Sequence, residues 1–357
     1  MPSLSKRYPN LGTENAFFFI NKAKAFEKEL EAKGETPDIV YLQVGEPSFD
    51  TPAHIKEAGI KAISENHTHY SPAAGLWEFR EAVAKYTSEA TGVDYTMKDV
   101  VIVPGGKPVM FHMITAVLDP GDEIIVPNPG YPIYESVPNF IGAKVVHLPL
   151  LEEKGYNFDV DELESLITEK TKMIIVNSPQ NPTGGVLNRE AISRIAELAV
   201  KHDLWVLSDE IYDKIIYDTE HISPVSFPGM AERTVILNGC SKAFAMTGWR
   251  IGWAVIKNPV MIEALERVET NAETSAATMN QIAGIAAVSG PMDDVEMMKN
   301  EYRKRRDLLV SLVNEIPGMS CHSPEGAFYL FVNVKPILEK LGMNCEELAD
   351  RILKEAR

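Results

Sequence analysis

Cysteine is scarce in this chain, and negative charge outweighs positive charge. The three cysteines, Cys240, Cys321 and Cys345, form no C-x-x-C pair among the 357 residues, so no disulfide framework is expected. Lysine and arginine number 35 against 51 aspartates and glutamates, which gives a formal net charge of -16. So acidic a chain is unsuited to a general nucleic-acid or anionic-membrane surface.

Long apolar runs and several common catalytic motifs are also missing. No apolar run reaches the ~18 residues that a membrane-spanning helix needs, and no apolar segment of the signal-peptide kind follows the first residues. We therefore expect a cytoplasmic protein with no membrane partner and no nucleic-acid partner. The sequence lacks an H-E-x-x-H metal motif, a G-x-S-x-G elbow and a G-x-G-x-x-G turn after a strand, which argues against zinc, serine-hydrolase and dinucleotide sites.

What the chain does contain is an alternation of short apolar runs and helical stretches. The apolar runs occupy 100–103, 123–126, 172–176, 204–207 and 234–237. Runs that are apolar throughout are typical of strands buried on both faces. Helical stretches at 106–118, 188–202 and 259–275 lie between or after them. The alternation predicts an α/β fold with a largely parallel sheet covered by helices.

The two ends of the chain have a different pattern. An amphipathic helix is expected at 14–33, and a charged helix around 293–316 leads to a predicted strand over 327–334 and a helix at 344–356.

The length allows about two domains. We expect a large domain at 51–287 and a smaller α+β domain built from both termini, 1–50 and 288–357.

Polar residues follow the predicted strands at the points where each strand ends. In chain order these residues are Gly105 and Gly106, Tyr131, Asn181, Asp209, and Lys242. Ligands of open α/β sheets bind beyond the carboxyl ends of the strands. We therefore expect these residues to share one binding site.

The segment from Ser241 to Arg250 points to a particular ligand. The amine of Lys242 can form a Schiff base with an aldehyde, and the Ser241 hydroxyl and the Arg250 guanidinium can hold a phosphate. A cofactor with both groups is pyridoxal phosphate (PLP), whose ring acts as an electron sink.

Three further residues fit the ring of such a cofactor, although each has a plainer interpretation. Asp209 could keep the pyridine nitrogen protonated through a bond that contributes about 1.5–3 kcal/mol, or it could cap a following helix, as Glu210 could. Asn181 and Tyr212 could donate hydrogen bonds to the phenolic oxygen. Alternatively, Asn181 belongs only to a turn and Tyr212 is a surface residue.

The turn at Gly105 and Gly106 could bind the phosphate, because backbone N–H groups at a helix start bind anions. It is no P-loop, since Val101 stands where that motif needs glycine. Lys107 could contact the cofactor or be a solvated charge. Tyr131 could stack on the ring or pack in the core.

In combination, six segments resemble the PLP-dependent aminotransferases of class I/II, fold type I, and most closely the prokaryotic aspartate aminotransferase-like enzymes. They are GEPSFDTP (45–52), THYSPAAG (68–75), PGGKP (104–108), NPTG (181–184), SDEIYD (208–213) and SKAFAMTGWRIGWA (241–254). The likeness runs from about residue 12 to the end of the chain. It implies a mostly parallel seven-stranded sheet sandwiched by helices.

The resemblance also implies roles for individual residues. Lys242 resembles the Schiff-base lysine, Asp209 the partner of the pyridinium, and Tyr131 the aromatic that stacks on the ring. The implied donors to the phenolic oxygen are Asn181 and Tyr212, and the implied phosphate ligands are Ser241, Arg250, Gly105, Gly106 and Lys107. Tyr70 resembles a tyrosine that reaches the phosphate of a neighbouring subunit, which implies a homodimer with shared sites. Gly45, with Asn181, is expected near the substrate.

The implied reaction is the ping-pong exchange of an amino group between an L-amino acid and a 2-oxo acid, with Lys242 as the proton carrier. Aspartate or glutamate is the expected substrate type, although the stretch 271–281 lacks the arginine that some aspartate enzymes use. The alternatives are a C–S lyase or another PLP elimination enzyme, and a catalytically impaired PLP-binding protein.

One expected element has no counterpart in the sequence. Members of the family continue past the last helix to an arginine that binds the substrate α-carboxylate, whereas Arg357 is expected to lie on that helix. We therefore expect part of the small domain to be missing and substrate positioning to be weakened.

Overall fold

The computed structural model describes residues 2–357, without the surroundings of the side chains at 15 and 17. Its helices are α1 Asn15–Ala32, α2 Ala53–Ser64, α3 Trp77–Thr91, α4 Lys107–Val117, α5 Ile133–Ile141, α6 Val160–Leu166, α7 Arg189–Lys201, α8 Pro259–Ala272, α9 Thr278–Ser289, α10 Asp293–Asn314, α11 Lys335–Leu341 and α12 Cys345–Glu355. Its strands are β1 Val100–Val103, β2 Glu123–Asn128, β3 Lys144–Pro149, β4 Thr171–Asn177, β5 Trp205–Asp209, β6 Thr234–Gly239, β7 Gly252–Val255, β8 Ser320–Cys321 and β9 Val332–Asn333.

A seven-stranded sheet forms the centre of the molecule, in the order β1-β7-β6-β5-β4-β2-β3. Strands β2 to β6 pair in parallel, and only β7 runs antiparallel to its neighbours β1 and β6. The predicted α/β class with a mostly parallel sheet is therefore confirmed. Because β7 is reversed, the residues that precede it lie at the carboxyl edge of the parallel strands.

Both faces of the sheet are covered, as the continuously apolar strands predicted. In β1, Val101 and Val103 face a core that includes side chains of α4, α5 and α8. Val100 and Ile102 face the opposite core, which includes side chains of α3 and α9. Alternate side chains of one strand thus fill two different cores, and that requires every position to be apolar.

Two strands of the central sheet were not predicted from the sequence, for different reasons, and neither was the short β8. The edge strand β3 is only partly buried, so it has no continuous apolar run. The strand β7 is fully buried, but it is short, begins with a glycine and follows directly on the segment with Arg250. Its direction could not be read from its composition.

The strand predicted over 327–334 was wrong for most of its length. Only Val332–Asn333 pairs, with Ser320–Cys321. The preceding residues instead bond to the loop after β5, where the Ala327 N–H donates to the Ile215 carbonyl at 2.8 Å. Within this segment, Tyr329 lines a cavity at the carboxyl edge of the sheet.

The chain termini meet beside the sheet. Lys22 of α1 forms a 2.8 Å ion pair with Asp350 of α12. Arg357 lies just after α12, not on it as expected, and pairs with Glu35 at 2.6 Å.

The division of the chain into a large and a small domain at residues 50 and 287 stays a prediction. Among the described residues, none of the helices combines the length and apolarity required to cross a bilayer.

Candidate active site

A cavity of about 550 Å³ lies at the carboxyl edge of the sheet. The residues predicted from the strand ends and the resemblance meet there: Gly45, Gly106, Lys107, Tyr131, Asn181, Asp209, Tyr212, Ser241, Lys242 and Arg250. Parallel strands that all end at one edge place these distant sequence segments together.

Lys242 follows β6 and projects into the cavity. Its ammonium donates a hydrogen bond to the carbonyl of Gly45. Burial disfavours the charged form and lowers the pKa of Lys242 to about 8. Near neutral pH part of the Lys242 population is therefore unprotonated, and the unprotonated amine is the nucleophilic form.

Asp209 is the last residue of β5 and is buried. Its Oδ2 accepts a 2.7 Å hydrogen bond from the Tyr134 hydroxyl, and its Oδ1 accepts one of 3.2 Å from the Ile211 N–H. Burial outweighs these bonds and raises the pKa of Asp209 to about 6. A positively charged partner in the cavity would favour the ionised carboxylate.

The neighbouring Glu210 faces away from the cavity. It accepts hydrogen bonds from the hydroxyls of Ser208 at 2.8 Å and Ser223 at 2.6 Å, and His221 Nε2 lies 2.9 Å away. These partners hold the pKa of Glu210 below its usual value even though burial acts in the opposite direction. Glu210 is therefore a member of a buried polar network and caps no helix.

At one end of the cavity Arg250 packs against a glycine turn. Gly105 has a positive φ of 89°, and a Cβ at this position would overlap the Arg250 guanidinium. The same guanidinium donates to the Thr247 carbonyl at 2.9 Å. Helix α4 begins at Lys107, so its first backbone N–H groups and the arginine lie at the same end of the cavity. Such a combination suits an anion.

The asparagine of the NPTG segment is held by a buried neighbour. The Asn181 N–H donates to Asn177 Oδ1 at 2.8 Å. The Asn177 amide in turn donates to the backbone carbonyl of Asp209 at 3.2 Å. This pair of bonds fixes the turn after β4 to the end of β5.

Three tyrosines also line the cavity: Tyr131, Tyr212 and Tyr329. The Tyr212 and Tyr329 hydroxyls hydrogen-bond to each other, and burial raises the pKa of Tyr212 well above its usual value. Tyr131 donates to Glu14 Oε1 at 2.9 Å, and the same carboxylate oxygen pairs with Lys107. Lys107 is therefore ion-paired at the cavity wall.

Comparison with known proteins identifies the kind of molecule that has this cavity. The family model for aminotransferase class I and II matches residues 37–357. The chain belongs to this family. Members are known to use PLP, and they transfer amino groups between amino acids and 2-oxo acids.

Individual relatives extend this assignment. The aspartate/prephenate aminotransferase of Thermus thermophilus is 41% identical over 87% of this chain and 80% of its own length. The arginine–pyruvate transaminase of Pseudomonas aeruginosa is 37% identical over 88% and 79%. A solved double mutant of the Thermus thermophilus aspartate aminotransferase superimposes with a TM-score of 0.90 at 37% identity, over 99% of this chain and 90% of that one.

The protein is accordingly an amino-acid aminotransferase, as the resemblance implied. The alternative of a C–S lyase or another elimination enzyme is not favoured, because these relatives are named as aminotransferases.

The sequence analysis missed three functional candidates. Glu14 and Tyr329 line the cavity, and Tyr134 supports it from behind through its bond to Asp209. Tyr134 comes three residues after Tyr131, so an aromatic pair after β2 was a usable signal. Glu14 and Tyr329 lie outside the quoted motifs and reach the cavity only through the tertiary fold.

Two predicted residues do not line the cavity. Gly105 packs against the Arg250 guanidinium next to it, and Tyr70 lies outside it with 90% of its surface exposed. Within one subunit this tyrosine contacts no cavity group, so its expected role toward a neighbouring subunit stays a prediction.

Proposed function

We propose that this aminotransferase binds PLP in the cavity, with Lys242 as the lysine that carries it and Asp209 as the partner of its pyridine nitrogen. The observation that supports this most strongly is one cavity that holds a half-buried lysine with a pKa of about 8 and a buried carboxylate with a pKa of about 6. Both side chains are desolvated. A ligand with an aldehyde could react with the Lys242 amine, and its basic ring nitrogen could pair with the Asp209 carboxylate.

The remaining donors fit the other parts of the cofactor. Arg250, Ser241 and the start of α4 would hold the phosphate, with Gly105 leaving room for the guanidinium. Asn181 and Tyr212 line the cavity and would donate to the phenolic oxygen. Tyr131 would lie against the ring, with its hydroxyl held by Glu14.

When bound, PLP supplies an electron sink for the bond-breaking at the substrate α-carbon. Lys242 Nζ would take the α-proton of the substrate as a general base and return it, as a general acid, to the carbon that receives the amino group. Asp209 would hold the ring nitrogen in its protonated form through its ionised carboxylate. The reaction has two halves, because the first substrate leaves as a 2-oxo acid before a second 2-oxo acid takes up the amino group.

We propose a dicarboxylate such as aspartate or glutamate as one substrate. The aspartate-type relatives support this, and Lys107 supplies a positive charge at the cavity wall, although Glu14 is its partner. Arginine is the named substrate of another relative. A cavity wall that carries both the Glu14 carboxylate and the Lys107 ammonium is compatible with a substrate side chain of either charge.

We also propose a cytoplasmic homodimer with shared sites. Tyr70 is exposed, and so are several apolar side chains, Leu42 and Trp77 among them. Such side chains are typical of surfaces that another chain covers. A second copy would then bring Tyr70 to the phosphate end of its neighbour's cavity.

An absorbance titration tests the proposed function. PLP added to the purified protein should produce the long-wavelength band of lysine-bound cofactor, and amino acids that are substrates should remove it. In Lys242→Ala the band should be absent and transamination should fall by at least about 1000-fold. Lys85→Ala, a change of an exposed lysine on α3, is the matched control. Full transamination by Lys242→Ala would contradict the proposal.

A further inference from the structure

A second group of ionisable side chains is buried between α4 and the end of α8. It consists of His112, Glu269 and Glu273. One ligand atom from each residue lies within 4.8 Å of the other two. His112 and Glu269 are almost fully buried, at 1% and 0% exposure, and Glu273 is partly exposed at 31%. The proposed transamination uses none of the three.

The buried polar atoms of this group are only partly paired, since His112 Nε2 lies 3.2 Å from Glu273 Oε2. Both carboxylate oxygens of Glu269 and the Nδ1 of His112 are buried without a partner in the described structure. His112 Nδ1 lies 3.9 Å from Glu269 Oε2, which is too far for a hydrogen bond. Native proteins rarely leave buried polar atoms unpaired, and an unpaired buried carboxylate is especially unfavourable.

The surroundings increase the need for a cation. Glu269 lies in the last turn of α8 and Glu273 directly follows that helix, where the helix dipole disfavours negative charge. The last turn contains no basic residue. Across residues 2–357, only His112 forms an ion pair within 4.0 Å of either carboxylate.

We propose that His112, Glu269 and Glu273 bind one divalent transition-metal ion of the zinc type. An imidazole nitrogen and carboxylate oxygens are ordinary zinc ligands at about 2.0–2.2 Å, so in tetrahedral geometry the ligand atoms of one ion lie about 3.4 Å apart. The three atoms of the present group lie within 4.8 Å of one another, so closing the group onto an ion needs a shift of about 1 Å. The partly exposed Glu273 side chain has room for that shift, and its open side leaves a position for water.

The ion would connect α8 to α4, a helix whose N-terminal part lines the cofactor cavity. His112 lies on α4, five residues after Lys107, which lines the cavity. Glu269 and Glu273 lie at the end of α8, which packs against α4 in the same core. The site would hold α4 in place through the middle of the helix and would take no part in the reaction.

Zinc binding to the untagged, cofactor-loaded protein tests this proposal. After removal of bound metal with a chelator, calorimetric titration with zinc should show one site per chain, and zinc should raise the melting temperature. Cobalt should give a visible absorption typical of low coordination number. Glu269→Gln and His112→Gln should each weaken zinc binding by about 100-fold. Glu135→Gln, which changes an exposed His147–Glu135 pair 3.0 Å apart, should bind like the parent.

Three results would overturn the proposal. The first is no stoichiometric zinc binding by the parent. The second is equal binding by the parent and Glu269→Gln, which would locate the ion elsewhere. The third is a rise in melting temperature on Glu269→Gln with no effect of zinc on either protein, which would indicate a proton shared between the two carboxylates. None of these results bears on PLP binding, because the cofactor band at Lys242 is measured separately.

Discussion

The end of β5 presents two consecutive buried carboxylates to two different surroundings. Asp209 faces the cavity, and burial raises its pKa to about 6. Glu210 faces the packed interior, where His221 and two serine hydroxyls hold its pKa below the usual value. The two groups are comparably buried, at 3% exposure each, so burial alone does not account for the difference.

The difference is a cation in direct contact with the carboxylate, since the Lys242 charge acts on Asp209 only from a distance. Glu210 has its positive partner within the chain, since His221 Nε2 is 2.9 Å away and its pKa is raised by Glu210 despite burial. Asp209 has only neutral donors, Tyr134 and a backbone N–H. A buried carboxylate that is oriented by hydrogen bonds but lacks a cation is suited to a cationic ligand. The pyridinium of the proposed cofactor is such a ligand.

The largest effect should come from Asp209→Asn. The amide cannot hold the ring nitrogen in its protonated form, so kcat/KM for transamination should fall by about 1000-fold or more. Stability toward urea without cofactor should stay the same or increase, because a desolvated carboxylate is removed. Activity close to that of the parent would remove Asp209 from the mechanism.

Glu210→Gln should give the opposite result. It leaves a buried histidine without its counter-charge, and we expect a loss of about 3 kcal/mol in the free energy of unfolding. The folded fraction should keep most of its transamination activity. Urea unfolding and an assay below the unfolding transition measure the two effects. A strong loss of activity without a loss of stability would mean that Glu210 belongs to the active site.

Tyr134→Phe should have a smaller effect. It removes the 2.7 Å hydrogen bond to Asp209 Oδ2, and a bond to a charged group contributes about 1.5–3 kcal/mol. Without this bond the ionised form of Asp209 is less stable, so kcat/KM for transamination should fall by about tenfold or somewhat more. Tyr131→Phe, which removes a hydroxyl bound to Glu14, is the comparison variant. A larger loss of kcat/KM in Tyr131→Phe than in Tyr134→Phe would mean that the bond between Tyr131 and Glu14 matters more than the bond between Tyr134 and Asp209.

The smallest effect concerns the pH dependence of cofactor uptake. The attacking form of Lys242 is the neutral amine, and burial lowers its pKa to about 8. The rate of PLP incorporation into cofactor-free protein should therefore rise about tenfold per unit below pH 8 and level off above it. Stopped-flow absorbance measures this rate. A rise that continues to pH 10 would show an amine with the pKa of an exposed lysine.

Much of this arrangement could be predicted from the sequence, because strands and motifs are local. Five strands followed from continuous apolar runs, and the candidate residues after them meet in one cavity. The edge strand β3 and the reversed strand β7 could not be predicted in this way. Their exposure and direction depend on the neighbours they pair with.

The supporting contacts of the site were harder to predict. Glu14 reaches the cavity from the segment before α1, and Tyr329 comes from a loop held by Ile215 and its neighbours. Both are long-range contacts, and no local pattern encodes them. The cation partner of Glu210 was missed for the same reason, since His221 lies eleven residues away in an irregular segment.

Borohydride reduction of the PLP-loaded protein, followed by peptide mass spectrometry, tests the central claim most directly. Reduction makes the link between the cofactor and its lysine permanent. The account predicts one cofactor per chain, attached to the peptide that contains Lys242, and a normal yield of that modification in Lys85→Ala. Attachment to another lysine, or no attachment with PLP in excess, would contradict it.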